Sequence, residues 1–178
     1  MKRPGRAARG AIGLLVCACA QSNPALSADS ARRTVDDFYT WYVPIQKQTS
    51  SANMRAIRDR PALFSPELVT ALRADSVASA ASPGEVVGLD GDPFLNAQDA
   101  CDRYATAGVV ETGGRFLVQV LGSGGCVAHT TADVTVEVTP TDANLVFTNF
   151  IYSPRERDNL VALLAYLDST RRAKQPKP

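Results

Sequence analysis

Two glycines, Gly113 and Gly114, divide the middle of the chain into two stretches that have the composition of β-strands. Residues 104–112 precede the glycines and residues 115–121 follow them, and a two-residue glycine turn is typical of a β-hairpin. A hairpin here excludes an all-helical fold. The rest of the chain must therefore be arranged around an antiparallel sheet.

Two further strands follow the hairpin. Residues 134–139 alternate between valine and polar side chains, which predicts a strand with one buried and one polar face. A turn over residues 140–144 leads to another strand-like stretch, residues 145–152. The sequence thus predicts an antiparallel sheet of about four strands.

Helical patterns lie on both sides of this sheet. Asp29 or Ser30 is suited to cap a first helix, which Pro44 should end or kink. The apolar residues of this helix recur at helical spacing and are rich in aromatic rings: Val35, Phe38, Tyr39, Tyr42 and Val43.

Proline and capping signals mark two more helices. Ser65 and Pro66 predict a second helix with Ser65 as its N-cap and Leu68 and Leu72 on its buried side. Residues 153–156 resemble a capping box, which predicts the start of a last helix whose apolar stripe is Leu160, Leu163, Leu164 and Leu167. These elements predict an α+β domain in which the sheet packs against N-terminal helices, with a C-terminal helix at the end.

The N-terminus has the organisation of a secretory signal. Four basic residues precede a short apolar run over residues 11–18, which ends in small side chains. The apolar run is far below the roughly 20 residues that a membrane-spanning helix needs. We therefore predict a signal peptide over 1–20, a polar tether over 21–29, one domain over 30–172 and a disordered basic tail over 173–178.

The end of the signal is open between two interpretations. Small residues before Gln21 and before Asp29 both suit ordinary cleavage. Cys19 also lies in a segment that is similar to a bacterial lipobox, in which it would become a lipidated N-terminus. The protein is predicted to be either free in the periplasm or an outer-membrane-anchored lipoprotein.

Cys101 and Cys126 have only each other in an exported mature chain, which predicts a disulfide. If Thr112 pairs with Arg115, the same register carried along the hairpin places the two cysteines opposite each other. In the alternative register, residues 122–125 form a second tight turn and carry Cys126 onto the next strand. Two cysteines and one histidine are too few for a structural zinc, so no metal or other cofactor is predicted.

The net charge of the chain limits the classes of partner that it is expected to bind. Residues 1–20 hold four basic and no acidic side chains, so their removal changes the formal charge from +1 to −3. Nucleic-acid binding normally needs a basic face, so nucleic acid is not an expected partner. Contact with a membrane is expected only through a lipid anchor.

The segment before the hairpin is unusually polar. Asp90 and Asp92 have the spacing of the first two ligands of a calcium loop, but Phe94 and Cys101 occupy two of the later ligand positions. A structural turn fits better.

In that structural interpretation, Asp92 starts a turn with the proline that follows it. Phe94 and Leu95 then enter the core, and Asn96 or Asp99 caps the local backbone.

Four short segments resemble one family of exported bacterial proteins, known as domain of unknown function 3828. The segments are DPFLNAQD (92–99), FYTWY (38–42), SPEL (65–68) and TNFIY (148–152). The resemblance covers about residues 31–167. It implies an NTF2-like, cystatin-like layout, in which a curved sheet wraps a helix and leaves a cone-shaped cavity, and it implies no catalytic residues.

Three functions are compatible with these patterns. The preferred hypothesis is a non-catalytic envelope module that binds a protein or a small apolar ligand. The alternatives are a hydrolase or isomerase that uses the cone, with His129 or a loop aspartate as base, and an immunity-type inhibitor. The candidate ligand or surface residues are Tyr39, Tyr42, Asp92, Asn96, Asp99 and His129.

Overall fold

The computed structural model of the chain describes residues 26–82, 85, 87–127, 130–152 and 158–174. Three helices precede the sheet and one follows it: α1 (Ala28–Gln46), α2 (Ala52–Asp59), α3 (Pro66–Ala80) and α4 (Leu160–Lys174). A short 3-10 turn, Pro61–Leu63, joins α2 to α3. In these ranges no helix has both the length and the apolar character that crossing a membrane requires.

The sheet confirms the predicted fold class. Its strands are β1 (Arg103–Thr112), β2 (Arg115–Ser123), β3 (Val134–Pro140) and β4 (Leu145–Ile151). They pair antiparallel in the order β1-β2-β3-β4, so each strand neighbours the next one along the chain. The protein is an α+β domain built on a four-stranded meander.

Two bulges alter the sheet in ways that alternation alone does not indicate. The β1–β2 register shifts between Thr106 and Gly108. The β3–β4 register shifts so that Phe147 faces Val138 while Asn149 faces Glu137. An extra residue reverses the side-chain parity of a strand, which is why Phe147 and Phe150 are both fully buried although they are three positions apart.

The core lies between the inner face of the sheet and α1. The predicted aromatic stripe of α1 is confirmed, since Phe38, Tyr39 and Tyr42 are at most 1% exposed. The ring of Phe38 is central and lies 5.1–5.8 Å from five neighbouring rings, which belong to Tyr39, Tyr42, Phe64, Phe94 and Phe147. The predicted valine face of β3 is also buried, and β3 packs toward these rings.

The first helix begins earlier than predicted. Its N-cap is Ser27, whose hydroxyl accepts a hydrogen bond from the Ser30 backbone, while the Ser30 hydroxyl accepts one from the Ser27 backbone. A serine at both positions reproduces the reciprocal bonding of a capping box. The last residues of the predicted tether are therefore helical. The helix continues past Pro44 and ends at Gln46.

The other helices differ in how well they were predicted. Ser65 caps α3 through a bond from the Leu68 backbone, as expected. Helix α2 was not predicted, although Ala52, Ala56 and Ile57 form its buried side.

Helix α4 begins at Leu160. Asn159 caps it by accepting a bond from the Ala162 backbone, and the predicted capping box at 153–156 falls before this start and lies outside the described residues. Leu160 and Leu164 are buried, whereas Leu163 is 37% exposed. The helix continues to Lys174, into the predicted tail.

Cys101 and Cys126 form the predicted disulfide, with their Cα atoms 5.0 Å apart. Thr112 does pair with Arg115, but the bulge in β1 shifts the register by one residue before the cysteines are reached. The Asp102 backbone accordingly donates to the carbonyl of Gly124. The bridge closes the far end of the hairpin, and Cys126 follows β2 without joining β3.

Candidate functional site

The polar segment before the sheet is held in place by three tyrosine hydroxyls. Tyr39 donates to the carbonyl of Phe94 at 2.7 Å, and Tyr152 donates to the carbonyl of Pro93 at 2.8 Å. Tyr42 donates to Oδ2 of Asp92 at 2.5 Å. Residues 92–95, which we call the clamped turn, are thus fixed from both α1 and the end of β4.

Asp92 organises the clamped turn from within. Its Oδ1 accepts the backbone N–H groups of Phe94 at 2.9 Å and of Leu95 at 3.2 Å. The sequence predicted that Asp92 starts the turn and that Phe94 and Leu95 enter the core, and both side chains are at most 1% exposed. The residue that caps the turn is Asp92 itself, whereas Asn96 or Asp99 was expected to cap it.

The electrostatics of Asp92 are dominated by desolvation. Burial raises the pKa of its carboxyl from 3.8 to about 6, although the bonds from Tyr42 and the two backbone N–H groups lower it. Burial, and after it the charge of Asp92, raise the pKa of Tyr39, Tyr42 and Tyr152 above 10. The three tyrosines therefore remain protonated donors at neutral pH.

This geometry makes Asp92 a poor catalytic base. A general base must reach a substrate proton, and both oxygens of Asp92 already accept bonds from within the protein. The aromatic stripe is likewise part of the packed core. Tyr39, Tyr42 and Asp92 do come together, but in a structural arrangement.

The remaining sequence candidates lie elsewhere. Asn96 is exposed and adopts the left-handed backbone region at φ 51°, which asparagine tolerates better than most residues. Asn96 and the exposed Asp99 line a depression of about 620 Å³ beside the disulfide and Tyr104. His129 lies outside the described residues, as do Cys19 and the whole predicted signal.

A depression of about 430 Å³ lies on the side of the clamped turn that faces the helices. It is formed by the connection from α1 to α2, by α3 and by residues 89–93, and Gln98 completes the lining. Its hydrogen-bonding groups are mostly hydroxyls and amides: Gln46, Thr49, Ser50, Ser51, Asn53, Ser76, Ser79 and Gln98. We call this depression the polar cleft.

The back wall of the polar cleft contains a buried ion pair. Asp75, on α3, is 4% exposed and lies 2.7 Å from the guanidinium of Arg171 on α4. Asp75 also accepts the backbone N–H of Leu89, and Arg171 donates to the carbonyl of Val87. The pair thus connects two helices to the chain that enters the cleft.

Sequence reasoning did not identify Asp75 or Arg171. A signal was present, because Leu68, Leu72 and Asp75 follow one another at helical spacing. A carboxylate on a buried stripe requires a cationic or hydrogen-bonding partner. The sequence contained no indication of which of its many basic residues would provide it.

Within the described ranges, no three histidine, cysteine, aspartate or glutamate side chains are grouped so that they could hold a metal ion. Asp90 and Asp92 border the polar cleft, but Asp92 is committed to the clamped turn. The groups that the polar cleft presents are mainly hydroxyls and amides, which can both donate and accept hydrogen bonds.

Comparison of the chain with protein-family models, with curated proteins and with solved structures finds no match in any of the three.

Proposed function

We propose that this protein is a non-catalytic binding module of the bacterial envelope, exported by residues 1–20, and that it recognises its ligand in the polar cleft. The resemblance to the family of domain of unknown function 3828 is part of this proposal. So is the location, either free in the periplasm or anchored through a lipidated Cys19. The disulfide supports an oxidising compartment.

The observation that carries the proposal is that aromatic rings fill the space between α1 and the sheet. A catalytic or apolar-ligand function of an NTF2-like domain would use a cavity in that space. Phe38, Phe94, Phe147 and Phe150 are instead all fully buried there, with neighbouring ring centroids 4.7–5.9 Å apart. Recognition is then left to concave outer surfaces, and the volume of the polar cleft, about 430 Å³, lies within the range of about 300–1,000 Å³ that ligand pockets have.

Export and processing are tested by the intact mass of the protein recovered from its native envelope. We expect loss of the signal, and a mass two hydrogens below that of the reduced chain because of the disulfide. Added acyl mass on Cys19 identifies the lipoprotein form, whereas cleavage after it identifies the free form. A full-length mass that retains residues 1–20 would contradict export.

The binding role is tested by two-dimensional NMR with a chemically mixed fragment library. Bound fragments should shift the amide signals of Ser50, Ser51, Ser76 and Ser79. Hits that map to the buried rings would indicate an apolar-ligand pocket instead and would overturn the proposal. A hydrolase or isomerase activity that is lost in His129→Ala or Asp99→Ala would overturn it equally.

A further inference from the structure

The chemistry of the polar cleft restricts the ligand that it can hold. Hydroxyl and amide side chains both donate and accept hydrogen bonds, so they match a ligand whose own groups do the same. A saccharide is one such ligand, because it is rich in hydroxyls. The cleft also has apolar surface from Met54, Leu72, Leu89 and Pro93, against which the C–H face of a sugar ring can pack.

The charge of the polar cleft has one sign. The charged residues among those that line it are Asp75, Asp90 and Asp92, all of them carboxylates. Arg171 neutralises Asp75 from behind, and Asp92 is bonded to Tyr42 and the clamped turn. Negative groups on a ligand would therefore be repelled, and positive groups would be favoured.

Asp90 is the carboxylate most open to a ligand. It is exposed at the rim of the cleft, where Gln98 donates to its backbone carbonyl at 3.2 Å and lies 3.5 Å from its Oδ2. The amide of Gln98 thus contacts Asp90 at its carbonyl and, at 3.5 Å, at Oδ2, while the side chain of Asp90 stays exposed to solvent. An ammonium group placed at this rim would gain a direct ionic contact.

We infer that the polar cleft binds a short, hydroxyl-rich ligand that carries a positive charge, that is, a saccharide of the amino-sugar class. This inference rests on the proposed function, because it assigns a ligand class to the same cleft. The cleft volume of about 430 Å³ suits a small saccharide, since ligand pockets span about 300–1,000 Å³. The hydroxyls of the sugar contact the serine-rich walls, and its ammonium group faces Asp90.

The experiment is calorimetric titration of the full chain with three trisaccharides of similar size, in a weakly acidic buffer that protonates amines. The probes are tri-glucosamine (cationic), cellotriose (neutral) and tri-galacturonate (anionic). We expect tri-glucosamine to bind more tightly than cellotriose by up to about fivefold, the upper end of what one exposed ion pair supplies. Tri-galacturonate should bind more weakly than either.

Variants test whether Asp90 and the wall of the polar cleft are responsible for the binding. Asp90→Asn should reduce the affinity for tri-glucosamine to near that of cellotriose. Ser50→Arg places a bulky cation on the exposed wall of the cleft and should weaken both ligands. Asp142→Asn removes a similar exposed carboxylate from the β3–β4 turn and serves as the control, with no change in either affinity.

Two results in which tri-glucosamine does bind would each overturn the inference. One is tri-galacturonate binding as tightly as tri-glucosamine, and the other is a tri-glucosamine affinity that Asp90→Asn leaves unchanged. Fragments that shift the cleft amides while tri-glucosamine fails to bind would reject the amino-sugar class and leave the proposed binding function standing. Failure of the amino-sugar inference can therefore be distinguished from failure of the proposed binding function.

Discussion

The hydroxyl of Tyr42 on α1 donates a 2.5 Å hydrogen bond to the carboxylate of Asp92, which lies 50 residues further along the chain. The other oxygen of Asp92 holds the backbone of Phe94 and Leu95. This contact is one of three tyrosine hydrogen bonds that join the aromatic core to the clamped turn. Together with the two backbone bonds, it fixes the conformation of the clamped turn.

Replacing Tyr42 with Phe should destabilise the fold. The ring and its packing remain, but a largely buried carboxylate loses one of its donors. We expect a loss of about 2 kcal/mol in the free energy of unfolding, in the range for hydrogen bonds to charged groups. Urea denaturation at neutral pH measures the change.

Tyr166→Phe is the matched control, because Tyr166 is 65% exposed. It removes the same hydroxyl from a surface ring on α4 and should change the free energy of unfolding by less than about 0.5 kcal/mol. Equal losses of unfolding free energy in the two variants would show that the Tyr42–Asp92 bond contributes no more to stability than an exposed hydroxyl does.

Asp92 should stabilise the fold more in mild acid than at neutral pH, because the folded state favours its protonated form. Burial raises the pKa of Asp92 from 3.8 to about 6, so the folded state binds this proton more tightly than the unfolded state does. Its stabilising contribution is complete below the unfolded pKa and is lost as the pH rises through the folded pKa. The difference between the two pKa values corresponds to about 3 kcal/mol.

The measurement is the free energy of unfolding of the wild type and of Asp92→Asn across this pH window. Carboxylates such as Asp102, whose pKa the Lys47 ammonium lowers, act in the opposite direction but titrate in both proteins. The difference between wild type and variant should therefore fall as the pH rises toward 6 and level off above it. Parallel curves would contradict the assignment to Asp92.

Local patterns were sufficient to predict most of the fold. Gly113 and Gly114 both have positive φ angles, of 56° and 75°, which the predicted hairpin turn requires. The valines of β3 lie on one face because side chains alternate along a strand. Ser65 and Pro66 start α3 because their side chains suit the first positions of a helix.

The features that the sequence did not predict depend on contacts between distant parts of the chain. The bulge after Thr106 is marked in its own residues only by Gly108, since an isolated glycine in a strand can signal a bulge, and it shifts the register by one before the disulfide. The polar cleft is assembled from three separate segments, so no local motif announces it. Asp75 and Arg171 are 96 residues apart, and only the packing of α3 on α4 brings them together.

Removal of the disulfide should destabilise the protein substantially. The bridge joins residues that are 25 positions apart, and closing a loop of that length stabilises the folded state by about 3.5 kcal/mol on the chain-entropy estimate. The double variant Cys101→Ser, Cys126→Ser should unfold at a lower urea concentration by a corresponding amount. Added reductant should lower the stability of the wild type and leave that of the double variant unchanged.

A count of free thiols in the folded mature protein is the accompanying control. Neither Cys101 nor Cys126 should react with a thiol reagent under denaturing conditions unless a reductant is present. Two reactive thiols in unreduced mature protein would contradict the bridge.

The buried ion pair between Asp75 and Arg171 should contribute far more to stability than the exposed pair between Arg172 and Asp168. Its side chains are only 5% and 17% exposed, whereas Arg172, one residue later, is 77% exposed and pairs with Asp168 on the same helix. Removing one partner of a buried pair leaves an uncompensated charge. Arg171→Leu should therefore cost about 3–5 kcal/mol, and Arg172→Leu at most about 1 kcal/mol.

A double-mutant cycle separates the ion pair from the packing of Arg171. If the unpaired carboxylate causes the loss, Asp75→Leu in the Arg171→Leu background should recover part of the stability, because two apolar side chains then meet between α3 and α4. Urea denaturation of the four proteins provides the coupling energy. Strictly additive losses would show that Arg171 acts through its contact with the Val87 carbonyl and through packing, without a contribution from Asp75.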